Sequence, residues 1–199
     1  MLLPLLLVAA VPETAIDAER AFNAAAQAEG QWTAFRKFAA PDAIMFVPEP
    51  TNAQAWLKDR KDPPKSVEWA PAQSFVSCDG SVAVNTGPWK RPNSVGYFTT
   101  VWVKQRDGHW KWVMDSGDAL TKARPLPDEP LVRRASCAGK PQPPAAGVPQ
   151  GKYDTRHSDD STLIWRWNVA LNGARSVEAF LWNGSYYDRT VFDYVPAPK

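Results

Sequence analysis

Apolar residues recur at helical spacing near the start of the chain. Ala15, Ala18, Phe22 and Ala25 form one apolar stripe, and Thr14 with Asp17 resembles a capping box. These signals predict a first helix over 15–28. The same reasoning predicts two further short helices, at Gln31–Ala39 and Ala53–Lys58, and a strand at Ala43–Val47.

A strand-forming pattern rich in β-branched and aromatic residues begins after a charged, proline-containing loop. It predicts four strands, at Val67–Ser77, Val82–Thr86 (running on to Trp89), Val95–Gln105 and Trp110–Asp115. Arg106-Asp107-Gly108 has the composition of a hairpin turn. The order of elements therefore predicts an α+β fold, with N-terminal helices packed on a curved antiparallel sheet over residues 13–121.

The pattern changes over residues 122–154, which contain seven prolines and little periodicity. This composition favours an extended linker, and an ordered strap on the domain surface is the alternative. Alternation returns over 155–199. We predict a small three-stranded antiparallel β unit there, with Asn-Gly turns and strands at Thr162–Leu171, Val177–Trp182 and Tyr186–Val195.

One face of this C-terminal unit is apolar and rich in tryptophan. Its first strand places five apolar residues on that face, Leu163, Trp165, Trp167, Val169 and Leu171. Because so small a sheet rarely stands alone, we expect the face to pack on the first domain or on a second copy. The second arrangement would make a homodimer.

Composition excludes some functions. The chain of 199 residues carries a net charge of +2, and its basic residues form no stripe, so we predict no nucleic-acid partner. Its longest apolar run is far too short for a stable membrane span. Its 10 tryptophans are many for this length and can build a large aromatic core.

That longest apolar run is residues 1–10, MLLPLLLVAA. Its length and the small residues at Val8 and Ala10 predict a signal peptide cleaved after Ala10, although no Lys or Arg precedes the apolar part. The mature chain would begin near Val11 and act in the periplasm or after secretion. A buried N-terminal strand or helix is the alternative.

The chain contains two cysteines, Cys78 and Cys137. In an exported protein such a pair usually forms one disulfide, which here would tie a turn of the first domain to the proline-rich segment. Two free, small core residues are the alternative.

Several stretches resemble a known superfamily when their order is considered. They are IDAERAF at 16–22, PDAIMFVP at 41–48, TGPW at 86–89, and Gly96-Tyr97 through Trp102 followed by Asp107-Gly108 and Trp110-Lys111. Over about residues 13–118 the chain resembles the nuclear transport factor 2-like superfamily, the cone-shaped fold of ketosteroid isomerase and SnoaL-like cyclases. Within it, the chain most resembles an exported bacterial domain family of unknown function.

The resemblance implies a pocket between the first helix and the concave face of the sheet, and it implies no particular reaction. The isomerases of this fold use a buried carboxylate, often with a phenol as hydrogen-bond donor. Here the candidates are Asp115, at the predicted end of the last meander strand, and Tyr97 on its hairpin partner. Asp42 is a weaker candidate because Pro-Asp is ordinary turn chemistry.

No metal-ligand spacing, nucleophile elbow or phosphate loop is present in the sequence, so we predict no metal and no cofactor. Four tryptophans are candidates to line a pocket for a hydrophobic ligand, Trp56, Trp69, Trp89 and Trp102, and ordinary core positions, which are commoner for such residues, are the alternative. Both faces of the strand Val95–Gln105 are apolar, so its pocket-facing side stays open.

Two classes of function follow from these features. The first is an exported protein whose pocket binds a small hydrophobic molecule, or whose surface supports assembly. The second is a cofactor-free isomerase, dehydratase or cyclase that uses Asp115 and Tyr97. Whether the protein is an enzyme stays open at this point.

Overall fold

The computed structural model describes residues 14–143 and 150–198, so the predicted signal peptide lies outside the described residues. Three helices occur in this part of the chain: α1 (Ala15–Glu29), α2 (Gln31–Phe38) and α3 (Ala53–Leu57). The predicted capping box at Thr14 is present, since its hydroxyl accepts the Asp17 amide at 3.1 Å and the Asp17 carboxylate accepts the Thr14 amide at 3.2 Å. Across the described ranges, none of the helices has the length and apolarity needed to cross a membrane.

The first sheet is mixed, which corrects the antiparallel prediction. Within the described residues it holds eight strands: β1 (Ala39–Phe46), β2 (Pro50–Asn52), β3 (Glu68–Trp69), β4 (Gln73–Val76), β5 (Val82–Arg91), β6 (Ser94–Lys104), β7 (Trp110–Leu120) and β8 (Leu131–Arg134). The meander β4 to β7 is antiparallel, as predicted. The parallel pairs are β1 with β7 and β4 with β8, which no local pattern reveals because they join distant segments.

Two strand boundaries differ from the prediction in ways that matter for the site. The predicted strand 67–77 is divided into β3 and β4, because Pro71 between them has no amide hydrogen to donate. Strand β7 runs on to Leu120, paired with β6 as far as Val95. Asp115 therefore lies inside a strand and does not end one.

The C-terminal unit has four antiparallel strands, so the three-stranded prediction was wrong. They are β9 (Lys152–His157), β10 (Leu163–Val169), β11 (Arg175–Trp182) and β12 (Tyr187–Val195), in the order β12-β11-β10-β9. Strand β9 is an edge strand made largely of polar residues, with no alternating apolar pattern. Strand β8 and the start of β9 lie in the segment predicted as a linker.

The apolar face of the second sheet packs on the first sheet. Trp165 and Trp167 are buried there, and the Trp167 ring centroid lies 5.6 Å from that of Phe46 on β1. Leu171 is 82% exposed because the strand ends before it. The face that was expected to form a homodimer contact is thus covered within one chain. A homodimer stays a prediction, and it would have to use another surface.

Two further contacts join the sheets. Cys78 and Cys137 form a disulfide, with a Cα–Cα distance of 5.2 Å. Asp193 on β12 is buried between the sheets, where it accepts the Thr99 hydroxyl at 2.6 Å and pairs with Arg124. The second sheet therefore covers one face of the first and leaves the other face to the helices.

Candidate functional site

The contacts of β6 with α1 and with the second sheet identify which of its two faces is concave. Trp102 faces the helices, since its indole N–H donates to the Glu19 carboxylate of α1 at 2.6 Å. Phe98 and Thr100 share that face because side chains alternate along a strand. Thr99 faces the second sheet through its bond to Asp193, and Tyr97 lies on the same side.

A cavity of about 410 Å³ lies between the helices and the concave face. Aromatic residues are the largest group in its wall: Phe22, Trp32, Phe35, Phe46, Trp69, Trp89, Tyr97 and Phe98. Gly117 and Ala119 on β7 line the cavity and present little side-chain volume to it. Gly96 on β6 does not line it, because the Trp89 ring packs directly over that glycine.

Asp115 is the carboxyl group on the concave face of the cavity. It lies opposite Thr100 on β6, and its Oδ2 accepts the Thr100 hydroxyl at 2.9 Å. Burial raises the pKa of Asp115 to about 7, and the hydrogen bond from Thr100 opposes this rise only in part. Asp115 therefore exchanges a proton near neutral pH, which suits either polar recognition or acid–base chemistry.

Tyr97 and Asp115 lie on opposite faces of the sheet. Tyr97 borders the cavity, but its ring packs on the far side, 3.9 Å from the Arg124 guanidinium carbon. Burial raises the pKa of Tyr97 to about 12. The structure therefore does not bring these two side chains together on one face.

The four candidate tryptophans separate into two pairs. Trp69 and Trp89 line the cavity. Trp102 is fully buried in the core, and Trp56 stacks at 3.2 Å beneath the guanidinium of Arg60, and neither lines the cavity. Asp42 forms an exposed ion pair with Arg156 at 3.1 Å and lies outside the cavity.

Sequence reasoning missed Glu19, which is 0% exposed. Its carboxylate accepts N–H groups of Trp69 at 2.8 Å, Trp102 at 2.6 Å and Asn85 at 3.3 Å. Burial raises the pKa of Glu19 to about 7, against the lowering effect of the indole hydrogen bonds, and the nearby Asp115 raises it further. The sequence did contain a signal for its burial. Glu19 lies four residues after Ala15 and three before Phe22, so it falls on the apolar stripe of the helix.

Other polar groups around the cavity are few. Gln31, Arg91, Ser116 and Asp118 border it, and of these Gln31 is the one on a helix. In residues 14–143 and 150–198, no group of three or more His, Cys, Asp or Glu side chains is placed to hold a metal ion. The arrangement is an apolar cavity with a titratable carboxyl and a buried amide.

No protein-family model matches this chain, and no curated protein matches it. Solved structures are similar to slightly more than half of it. A candidate ketosteroid isomerase from Parabacteroides distasonis is 16% identical with a TM-score of 0.44, and the match covers 55% of this chain and 90% of that one.

Two further solved structures are similar at the same level. A nuclear transport factor 2-like protein of unknown function from Silicibacter pomeroyi is 16% identical (TM-score 0.39, 53% of this chain and 93% of that one). The S. rosetta CaMKII hub is 20% identical (TM-score 0.41, 57% of this chain and 100% of that one). With TM-scores below 0.5, these likenesses carry no argument about the superfamily, ligand or chemistry of this chain.

Proposed function

We propose that this protein binds a small, largely apolar molecule in the cavity between α1, α2 and the concave face of the first sheet. The observation that carries the proposal is the aromatic cavity of about 410 Å³. Its volume is within the range of about 300–1,000 Å³ that is common for ligand pockets. Such pockets combine apolar walls with a few placed polar groups, and here Asp115 and Gln31 supply them.

Native mass spectrometry of the protein from its own host tests the proposal first. A molecule retained at one copy per chain would support it and would identify the ligand class. In parallel, 2-acetylnaphthalene serves as a defined apolar probe, with binding followed by tryptophan fluorescence.

A blocking variant makes the probe experiment specific to this cavity. Ala119→Trp places a large ring in the cavity wall and should weaken probe binding at least about tenfold. Leu120→Trp is the matched control, since Leu120 is the next residue of β7 and does not line the cavity. Equal binding by both variants would contradict the proposed location.

A second candidate function is cofactor-free proton transfer by Asp115. It is favoured by the raised pKa of this carboxyl, about 7, and by its place in an apolar cavity. The Asp115 carboxylate would take a proton from carbon next to a ligand carbonyl, forming an enolate, and would return it to the same or a neighbouring carbon. Because Tyr97 lies on the other face, it does not serve as the phenol donor.

Isotope exchange tests this chemistry without knowledge of the natural substrate. In D₂O, the wild-type protein should accelerate exchange of the methyl hydrogens of 2-acetylnaphthalene, followed by NMR. Asp115→Asn keeps the size of the side chain and removes the base, so it should bind the probe and lose the acceleration. Equal exchange rates in the two proteins would leave binding as the function.

We also propose that the protein acts in the periplasm or after secretion. The apolar run at residues 1–10 supports this, as does the Cys78–Cys137 disulfide, because disulfides persist mainly in oxidising compartments. Sequencing the N-terminus of protein from its own host should find a start near Val11. An intact Met1 would contradict export by cleavage.

A further inference from the structure

The side chain of Gln31 is buried in the cavity wall, with 4% of its surface exposed. Its Oε1 accepts the backbone N–H of Val67 at 3.1 Å. Because an N–H can bond only to the oxygen of the amide, this contact fixes which end of the Gln31 amide faces Val67.

The other end of the amide is the Nε2 group, which carries two hydrogens to donate. Among the described residues, no acceptor is hydrogen-bonded to Nε2. The nitrogen is not fully enclosed by the protein, so it reaches accessible space. For a buried residue in the cavity wall, the adjacent accessible space is the cavity.

Gln31 is held in this position from several sides. Trp32 and Thr33, the next two residues, donate their amides to the Asp62 carboxylate at 2.5 and 3.0 Å, which anchors the start of α2. Val67 is itself held by Gln27, whose amide donates to the Val67 carbonyl at 2.8 Å. A donor held in this way loses little conformational freedom when it binds a ligand.

We propose that Gln31 is a specificity-determining residue that donates a hydrogen bond to an acceptor oxygen of the bound molecule. The preferred ligand is then an apolar molecule that carries a hydrogen-bond acceptor oxygen, such as a carbonyl oxygen, and an unsubstituted hydrocarbon is disfavoured. This inference rests on the proposed function, since it assigns a ligand class to the same cavity.

The physical reason is the cost of an unpaired donor. Water satisfies the Nε2 hydrogens when no ligand is bound, and a carbonyl oxygen replaces that water with a similar bond. A hydrocarbon displaces the water and leaves the donors unpaired in an apolar site. That loss typically corresponds to about a tenfold change in affinity.

A pair of probes of equal shape measures this preference. 2-Acetylnaphthalene has a ketone where 2-isopropenylnaphthalene has a C=CH₂ group. The Kd of each is measured by tryptophan fluorescence, corrected for its partition between octanol and water. Wild type should prefer the ketone about tenfold.

Gln31→Met should remove this preference, because methionine has nearly the same length and no amide. Gln27→Met is the matched control: it makes the same substitution, also loses a bond to Val67, and lies outside the cavity. It should keep the wild-type ratio of the two Kd values. A general distortion of the cavity would weaken both probes alike and leave the ratio unchanged.

The outcomes separate this inference from the proposed function. If wild type binds both probes and Gln31→Met keeps the wild-type ratio, Gln31 has no role in specificity and the cavity still binds ligands. If wild type binds neither probe, both proposals fail. Should Gln31→Met not fold, Gln31→Glu at pH 9 can still accept the Val67 amide but presents only acceptors to the cavity, so it should reverse the preference.

Discussion

Replacing Glu19 with glutamine should remove much of the loss of stability that we expect as pH rises from 5 to 8. Glu19 is 0% exposed and accepts its hydrogen bonds from neutral groups. Burial raises its pKa from 4.5 to about 7. Between these values the folded protein holds a proton that the unfolded chain has released.

This difference in bound protons determines the sign. The contribution of Glu19 is fully present below its unfolded pKa and is lost as pH rises through the folded pKa. With a shift from 4.5 to about 7, linkage gives a loss of about 2–3 kcal/mol in the free energy of unfolding between pH 5 and pH 8. Asp115 acts in the same direction, so the wild-type curve contains both contributions.

Urea unfolding at 25 °C, followed by far-UV circular dichroism at pH 5, 6, 7 and 8, measures the effect. The free energy of unfolding of Glu19→Gln, relative to that of wild type, should rise by about 2–3 kcal/mol between pH 5 and pH 8. The carboxylates with lowered pKa values, Asp62 and Asp160, do not interfere, because their contributions are lost only in acid.

Glu29→Gln is the control on the same helix. Glu29 is exposed and pairs with Lys37 at 2.7 Å, so its replacement should change stability by less than about 1 kcal/mol at every pH. If Glu19→Gln keeps the same slope against pH as wild type, Glu19 is not a buried carboxyl with a raised pKa. The same would follow if the difference had the opposite sign.

Two further predictions concern the contacts between the sheets. Replacing Cys78 and Cys137 with serine should lower the free energy of unfolding by about 4 kcal/mol, since the disulfide closes a loop with a sequence separation of 59. Urea unfolding of oxidised wild type and of the double variant measures this loss. Equal unfolding midpoints for the two proteins would contradict the prediction. Asp193→Asn should destabilise the protein by about 3 kcal/mol, because it leaves Arg124 without its buried partner. The control, Asp188→Asn, breaks a more exposed pair with Arg133 and should lower the free energy of unfolding by less than about 1 kcal/mol. Similar losses in the two variants would show that the pair of Asp193 with Arg124 contributes no more than an exposed pair.

Local patterns predicted much of the secondary structure. The start of α1 follows from the Thr14 capping box, and β5, β6 and β10 follow from alternation around recognisable turns. Strands β8 and β9 escaped prediction because they are edge strands with mostly exposed side chains. Their formation depends on hydrogen bonds to partners elsewhere in the chain, which no local pattern encodes.

The site was predictable only in part. Asp115, Trp69 and Trp89 were identified from the sequence and do line the cavity. Gln31 was not, because a glutamine at the start of a short helix is ordinary on a protein surface. Its importance appears only when Val67, distant in sequence, is seen to hold one end of its amide.

The sequence by itself determined where helices and central strands form, because side-chain periodicity and turn chemistry act over a few residues. Only the tertiary structure decided which face of β6 is concave, since both faces carry apolar residues and each is buried against a different layer. The register of β6 with β7, which pairs Asp115 with Thr100, puts Tyr97 and Asp115 on opposite faces. The packing of α1 on the concave face places Glu19 in the interior. Burial, and with it the pKa of each carboxyl, depends on segments far apart in the chain that meet only in the folded state.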